Sequence, residues 1–328
     1  MGSLYSIGEV LIDFIPLQKG LALKDVVSFE RAPGGAPANV AATVAKLGGV
    51  AYMISKVGDD AFGDFLRKQL EEVGVKTDKL LITKEANTGL AFVSLREDGE
   101  RDFSFYRKPS ADLLFSESEV EEDWFSKGDI LHFCSVDLVE SPMKYAHKKA
   151  IKQAQEKGSL ISFDPNVRLP LWDRPETCRE AIREFIPMAD IIKISDEELS
   201  FITGFEDEKE AISSLFTGHV KMVIYTKGAA GATLYGRDFS YTSKGYSVNV
   251  QDTTGAGDAF IGAFLHLLLE SGISPSQLEE FARKHHEELL TFSNACGALT
   301  TTGKGAIGSL PTKKQIIELV TGGGIVLS

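Results

Sequence analysis

A polar, glycine-rich turn runs directly into a dense apolar segment at Asp252-Thr253-Thr254-Gly255-Ala256-Gly257-Asp258-Ala259-Phe260. Val248 to Val250 read as the end of a strand and Ala259 to Leu269 as a mostly buried helix, so the glycines sit at a helix N-terminus. The first amides of a helix lack intrahelical acceptors and carry the positive end of the dipole, and small residues let an anion come close. Asp258 lies in the same turn. There a carboxylate can accept a proton from a hydroxyl while the amides of Gly255, Ala256 and Gly257 stabilise charge on a transferring phosphoryl group. The competing reading is that Asp258 only complements the helix dipole and the glycines only turn the chain.

A second glycine-rich stretch weighs against that reading: Pro33-Gly34-Gly35-Ala36-Pro37-Ala38-Asn39, followed by the helical pattern Val40 to Leu47. Together, GGAPAN and DTTGAGD resemble the paired signatures of the ribokinase-like (phosphofructokinase B) sugar kinase family, and the similarity runs over nearly the whole chain. The resemblance implies an α/β protein of three layers, α/β/α, with a mostly parallel central sheet and a small β-sheet lid. It also implies ATP and Mg²⁺ as cofactors.

Composition agrees with a globular chain. With 328 residues, 43% of them hydrophobic, there is enough apolar material for one large α/β core or two domains. A net charge of −12 argues against nucleic acid or an anionic membrane as partner, which leaves a small ligand. With no apolar run long enough to span a membrane and no secretory signal at the start, a cytoplasmic location is expected. Cys134, Cys178 and Cys296 show no C-x-x-C spacing and read as buried thiols.

Along the chain, Leu4 to Val10 read as a first strand that continues through Pro16 and carries Glu9 and Asp13 near its far end. Ligands of open α/β sheets gather at the carboxyl ends of strands. Asp13 is therefore a candidate for sugar hydroxyls, as the resemblance also implies, and Gly34, Gly35 and Asn39 join it. Thr88 to Leu95 and Arg101 to Arg107 read as a hairpin around Glu97-Asp98-Gly99-Glu100 that interrupts the strand and helix alternation. With strands around Leu11 to Ile15 and Val26 to Arg31, it is expected to form the lid, from about residues 11–33 and 87–108 of a single kinase domain spanning 1–328. The resemblance implies that such a lid covers the sugar and often contributes a dimer contact. Alternation along the second strand puts Phe103, Phe105 and Arg107 on one side, and Phe105 and Arg107 are expected to reach the sugar.

Beyond the lid, strands and helix-length segments alternate again, which predicts a parallel sheet. Asp164-Pro165-Asn166-Val167-Arg168 ends one strand and offers Asn166 and Arg168 to a phosphate or a sugar oxygen. DPNVRLPLW, GEVLIDFIP and FYRKPSAD are most similar to the fructokinases of the family. Ser195-Asp196-Glu197-Glu198 opens a helix with good capping logic. Many family members have Asn-x-x-Glu here, which implies Glu198 as a water-mediated Mg²⁺ contact, while Ser195 replaces the asparagine. By resemblance, Lys193 lies near the phosphates, Thr226, Lys227, Gly228 and Asn294 line the nucleotide pocket, and a K⁺ site forms from Asp252, Thr254, Thr300, Gly303, Gly305 and Ser309.

No P-loop, no G-x-S-x-G elbow and no G-x-G-x-x-G after the first strand is present, and His285-His286 lacks metal-ligand spacing. The expected activity is ATP-dependent phosphorylation of D-fructose to fructose 6-phosphate, with Asp258 as base. The alternatives are a 2-keto-3-deoxygluconate kinase, a nucleoside kinase of the same fold, and a silent sugar-binding regulator.

Overall fold

A computed structural model describes residues 2–18, 20–95 and 101–322. The expected turn at 97–100, the side chain of Phe103 and the glycines at 323 and 324 lie outside the described residues. In chain order the strands are β1 (Ser3–Ile7), β2 (Leu11–Pro16), β3 (Phe29–Gly34), β4 (Val50–Gly58), β5 (Leu80–Thr83), β6 (Leu90–Leu95), β7 (Arg101–Tyr106), β8 (Ile130–Cys134), β9 (Leu160–Asp164), β10 (Ile191–Ser195), β11 (Met222–Thr226), β12 (Ala232–Tyr235) and β13 (Ser240–Ser243). The helices are α1 (Ala36–Lys46), α2 (Ala61–Val73), α3 (Pro142–Glu156), α4 (Pro175–Phe185), α5 (Asp196–Thr203), α6 (Glu208–Ser214), α7 (Ala256–Ser271), α8 (Leu278–Thr300) and α9 (Lys313–Val320).

The central strands are apolar on both faces, as expected of a sheet covered twice. Successive residues of one strand feed opposite cores. Leu4, Ile130, Ile191 and Met222 pack with α1, α2, α7, α8 and α9, while Tyr5, Leu131, Ile192 and Val223 pack with α3, α4, α5 and α6. The result is the expected three layers, around a nine-stranded sheet ordered β13-β12-β11-β10-β9-β8-β1-β4-β5. Its strands are parallel from β5 to β11, and only the β11–β12 and β12–β13 pairings are antiparallel.

The second sheet, ordered β3-β2-β6-β7, carries the interrupting hairpin as expected. One face is a cluster of rings, with Phe14 stacked on Phe92 at 4.7 Å and Phe62 of α2 meeting Phe14 edge-on at 5.8 Å. Asp60 caps α2 through the amides of Phe62 and Gly63, and it also accepts from the amide and hydroxyl of Thr88, just before β6.

Three sequence expectations are corrected. The first strand does not continue to Pro16: the chain leaves the central sheet after Ile7, through Gly8 at φ 144°, and restarts as β2 in the second sheet. The strand expected at Val26 to Arg31 is shifted to Phe29–Gly34 by its pairing with β2. Val248 to Val250 are not a strand. The chain beyond β13 is held to α8 instead, with Asn294 donating to the carbonyls of Ser243 and Lys244 and the Gln251 amide donating to Thr301.

All three cysteines are buried, and His285 lies exposed on α8. Among the described residues no single helix is long and apolar enough to cross a membrane; α7 and α8 together have the composition, but they are bent by 103°.

Helix α7 is apolar all round because it is buried all round, from Ala259 to Leu269. Its contact with α1 depends on Gly262, where a Cβ would stand 2.6 Å from Cβ of Thr43. Gly262→Ala is therefore expected to destabilise the fold by about 1–3 kcal/mol despite the better helix propensity of alanine. The check is a lower denaturant midpoint at unchanged slope; an unaltered midpoint removes this crossing as a constraint.

Candidate active site

The two glycine-rich stretches start α1 and α7, and the fold brings the two helix N-termini together. Gly255 caps α7 in the left-handed region at φ 75°, and a Cβ there would lie 2.4 Å from that of Ala306. The Ala256 amide turns back to Thr253 at 3.3 Å and that of Ala259 reaches Gly255, which leaves the amides of Gly257 and Asp258 without intrahelical acceptors. Asn39, in the first turn of α1, donates its side-chain amide to Asp258 at 2.8 Å. Burial raises the Asp258 carboxyl above the usual carboxylate range, against the opposing pull of Asn39, Lys193 and Arg168.

Below α7, the end of β9 and the middle of β10 supply an ion pair, Asp164 with Lys193 at 2.8 Å. A Cβ on Gly257 would stand 3.2 Å from the Lys193 ammonium, so the bare glycine lets that charge sit under the helix start. Burial works against the charge on Lys193, but Asp164, Glu198 and Asp258 outweigh it and raise its pKa. Burial pushes Asp164 up to about 7, although Lys193 opposes it. Sequence reasoning passed over Asp164, because only the sheet order makes it the neighbour of Lys193.

A cavity of about 320 Å³ opens beside this pair, lined by Asn166, Arg168, Lys193, Ser195, Glu197 and Glu198, among others. Asn166 holds the left-handed conformation at φ 44°, the one such non-glycine residue among those described. Glu198 accepts from the Val167 amide at 2.7 Å and from the Ser195 amide and hydroxyl at 3.0 and 2.7 Å. Burial alone would raise the Glu198 carboxyl, but Lys193 and these donors hold it below the usual range. Ser195 thus completes a capping box in the position where the asparagine is absent.

On the sugar side, Asp13, Ala91 and Phe105 are in register across β2, β6 and β7, so Asp13 and Phe105 share one face of the second sheet. The carboxylate of Asp13 lies against Gly34, whose Cβ would be 2.1 Å from it, and Gly35 at φ 108° would meet the Glu9 carbonyl at 2.4 Å. Arg107 differs from the sequence expectation of a direct sugar contact. It is buried, and its guanidinium is held by Asp112 and Asp137.

Around the expected nucleotide pocket, the Lys227 side chain is drawn to Glu208 at 2.8 Å and over the Tyr225 ring, which leaves its ammonium committed elsewhere. Thr226 ends β11 beside Ser195 of β10, and Gly228 at φ 50° borders open space. Asp252 joins two segments, accepting from the amide and hydroxyl of Thr254 and from the Gly305 amide at 2.9 Å. Gly303 packs against Ser309, whereas the Thr300 hydroxyl is turned to the Cys296 carbonyl inside α8 and so is committed to its own helix. Among the described residues no group of three or more His, Cys, Asp or Glu side chains is placed to hold a metal.

A family model described as "pfkB family carbohydrate kinase" matches residues 1–313. Fructokinase-2 of Solanum lycopersicum is 44% identical over 323 residues, covering 98% of this chain and 97% of the relative. The crystal structure of a fructokinase with bound ATP from Xylella fastidiosa superimposes with TM-score 0.90 at 34% identity, covering 98% of each chain. A fructokinase from Vibrio cholerae, in a fructose-, ADP- and calcium-bound form, does so with TM-score 0.86 at 33% identity, covering 98% of this chain and 99% of that one.

The Asn39 amide favours the ionised form of Asp258, so its removal must raise the Asp258 pKa further. In Asn39→Ala the Asp258 carboxyl, followed by carbon NMR, is expected to titrate at higher pH than in the native chain. An unmoved or lower midpoint contradicts the assigned contact.

Proposed function

The chain belongs to the pfkB family of carbohydrate kinases, and we propose that it is an ATP-dependent fructokinase, moving the γ-phosphoryl group of ATP to the 6-hydroxyl of D-fructose. One observation carries the mechanism: the bond from Asn39 that holds the Asp258 carboxylate beside the first turn of α7. Asp258 takes the proton from the attacking hydroxyl. The expected Ala256 amide is turned to Thr253, so the amides of Gly257 and Asp258, with Lys193 beneath them, meet the charge of the transferring group. Asp13, Gly34, Gly35, Asn39, Phe105, Asn166 and Arg168 hold the sugar, the second sheet closes over it as a lid, and water is excluded from the phosphoryl group. Thr226, Lys227, Gly228 and Asn294 border the nucleotide, with Lys227 contributing its backbone and stem.

Glu198 is the residue that would hold a Mg²⁺ ion here, through water. Lys193 and its amide donors hold the Glu198 carboxyl below the usual range and its oxygens are already bonded to amides, which fits an outer contact through water rather than a protein cage. Mg²⁺ supplies charge neutralisation across the phosphates. K⁺ is assigned to the segments that Asp252 joins, through the 300–309 loop. Exposed Tyr106 on the lid sheet, with exposed Leu17 and Val27 in the connection between β2 and β3, supports a homodimer through that sheet, and the acidic chain is assigned to the cytoplasm.

ATP turnover is to be measured with Mg²⁺ and K⁺ across fructose, 2-keto-3-deoxygluconate, ribose, glucose and adenosine, with a control lacking any acceptor. Fructose is expected to give the highest kcat/KM; a preference for another acceptor moves the sugar assignment, and no turnover with any removes the kinase reading. Asp258→Asn is expected to lower kcat by about 10² to 10⁴ with folding intact. A folded variant with native turnover rules Asp258 out as base.

Because the base must be ionised and its pKa is raised, the acid limb of the kcat profile is expected above the pH at which an ordinary carboxylate titrates. A rate still at its plateau at a pH below the ordinary carboxylate pKa contradicts this.

A further inference from the structure

A second buried charge cluster lies outside the phosphoryl-transfer apparatus, at the root of the lid. Arg107 directly follows β7, the lid's edge strand, and its guanidinium binds Asp112 in the next turn and Asp137 in the loop after β8 of the central sheet. Glu9 stands beside them at the point where the chain passes from β1 to β2. All four side chains are almost completely buried.

Two links run from this cluster to opposite sides of the site. Glu9 accepts from the Ala36 amide at 2.9 Å, in the same first turn of α1 that carries Asn39. The Asp137 loop is tied through the Ser135 amide to the Pro165 carbonyl at 3.1 Å, one residue before Asn166.

Such a cluster is a poor way to gain stability. Buried ion pairs can be replaced by apolar packing with little loss, and here one cation faces three carboxylates while Arg107 Nε, Glu9 Oε2 and Asp137 Oδ2 lack hydrogen-bond partners. What a forked guanidinium offers instead is direction, since it fixes two carboxylates on different elements at once.

We propose that Arg107 is a positioning residue, a latch that pins the returning lid strand to the catalytic rim so that Asp13 and Phe105 are held over the sugar site. The proposal rests on the sugar kinase reading above. It replaces a direct sugar contact by Arg107 with an indirect one. Burial raises Glu9 and raises Asp137 to about 7, in keeping with a cluster that holds more carboxylate than its single cation neutralises.

The test is Asp137→Ala, which cuts the bond to the central sheet while Arg107 keeps Asp112 as partner. KM for fructose is expected to rise about tenfold with KM for ATP unchanged, and ATP hydrolysis without transfer should increase relative to transfer. Amides of β6 and β7 should exchange hydrogen about tenfold faster while those of β8 to β11 keep native rates. Asp137→Asn, which retains the accepting oxygen, should return most of both effects. If Asp137→Ala does not fold, Arg107→Lys is the second variant; it keeps the cation without the fork, and the same split is expected.

Native fructose KM and native lid exchange in a folded variant overturn the proposal, as does exchange that quickens equally in both sheets, which marks a merely structural role. If the unmodified protein phosphorylates no sugar, the kinase reading fails separately, and the exchange contrast alone decides the latch.

Discussion

The hydrogen bond from Asn39 to Asp258 forms only if two helices, far apart in the chain, start at the same place. That requirement reaches through the whole central layer. Helix α1 must pack on β1 and β4, α7 must cross it closely enough for Gly262 to touch Thr43, and α8 must bring Ala306 against Gly255 through the loop that follows it. A shift of one ångström in any of these packings would be felt at the carboxylate, because close-packed interiors transmit strain rather than absorb it. The apolar cores on the two faces of the sheet are thus also what holds the reacting groups in register.

Charge is placed with the same economy. Lys193 and Asp164 sit on adjacent parallel strands, and the missing side chain at Gly257 lets the ammonium come close under α7. A positive helix start and a buried ammonium at one spot would repel each other if nothing negative were near. Asp164, Glu198 and Asp258 supply that charge when the site is empty, and phosphate oxygens add to it when a nucleotide is bound.

Much of this was legible in the residues. DTTGAGD and GGAPAN are local arrangements whose glycines are demanded by backbone geometry, and their helices follow at once, so the two glycine turns and the helix starts behind them were readable without a structure. The lid was readable too, because a hairpin stands out against alternating strands and helices. What the sequence left hidden was pairing. Val248 to Val250 have the side chains of a strand but pair with none, and the chain on either side of them is tied to α8 and the residue after it, through Asn294 to Ser243 and Lys244 and through Gln251 to Thr301. Nothing in the sequence marks Asp164 as the neighbour of Lys193 or Asp137, in the loop after β8, as the neighbour of Arg107; the fold makes both pairs. Lys227 looked free until Glu208 claimed it. Each of these depends on a partner at long range, which composition and periodicity do not encode.

The two sheets also divide the labour between parts of the chain. The residues proposed for the anion and the nucleotide lie on or just after β9, β10 and β11 and on α7, whereas Asp13 and Phe105, proposed for the sugar, come from strands that take no part in the central sheet. The lid is an excursion made twice, once between β1 and α1 and once between β5 and β8. Mutational drift in those excursions can reshape what the enzyme accepts while the machinery that moves phosphate is inherited intact, so a single scaffold can diversify its diet without relearning its chemistry.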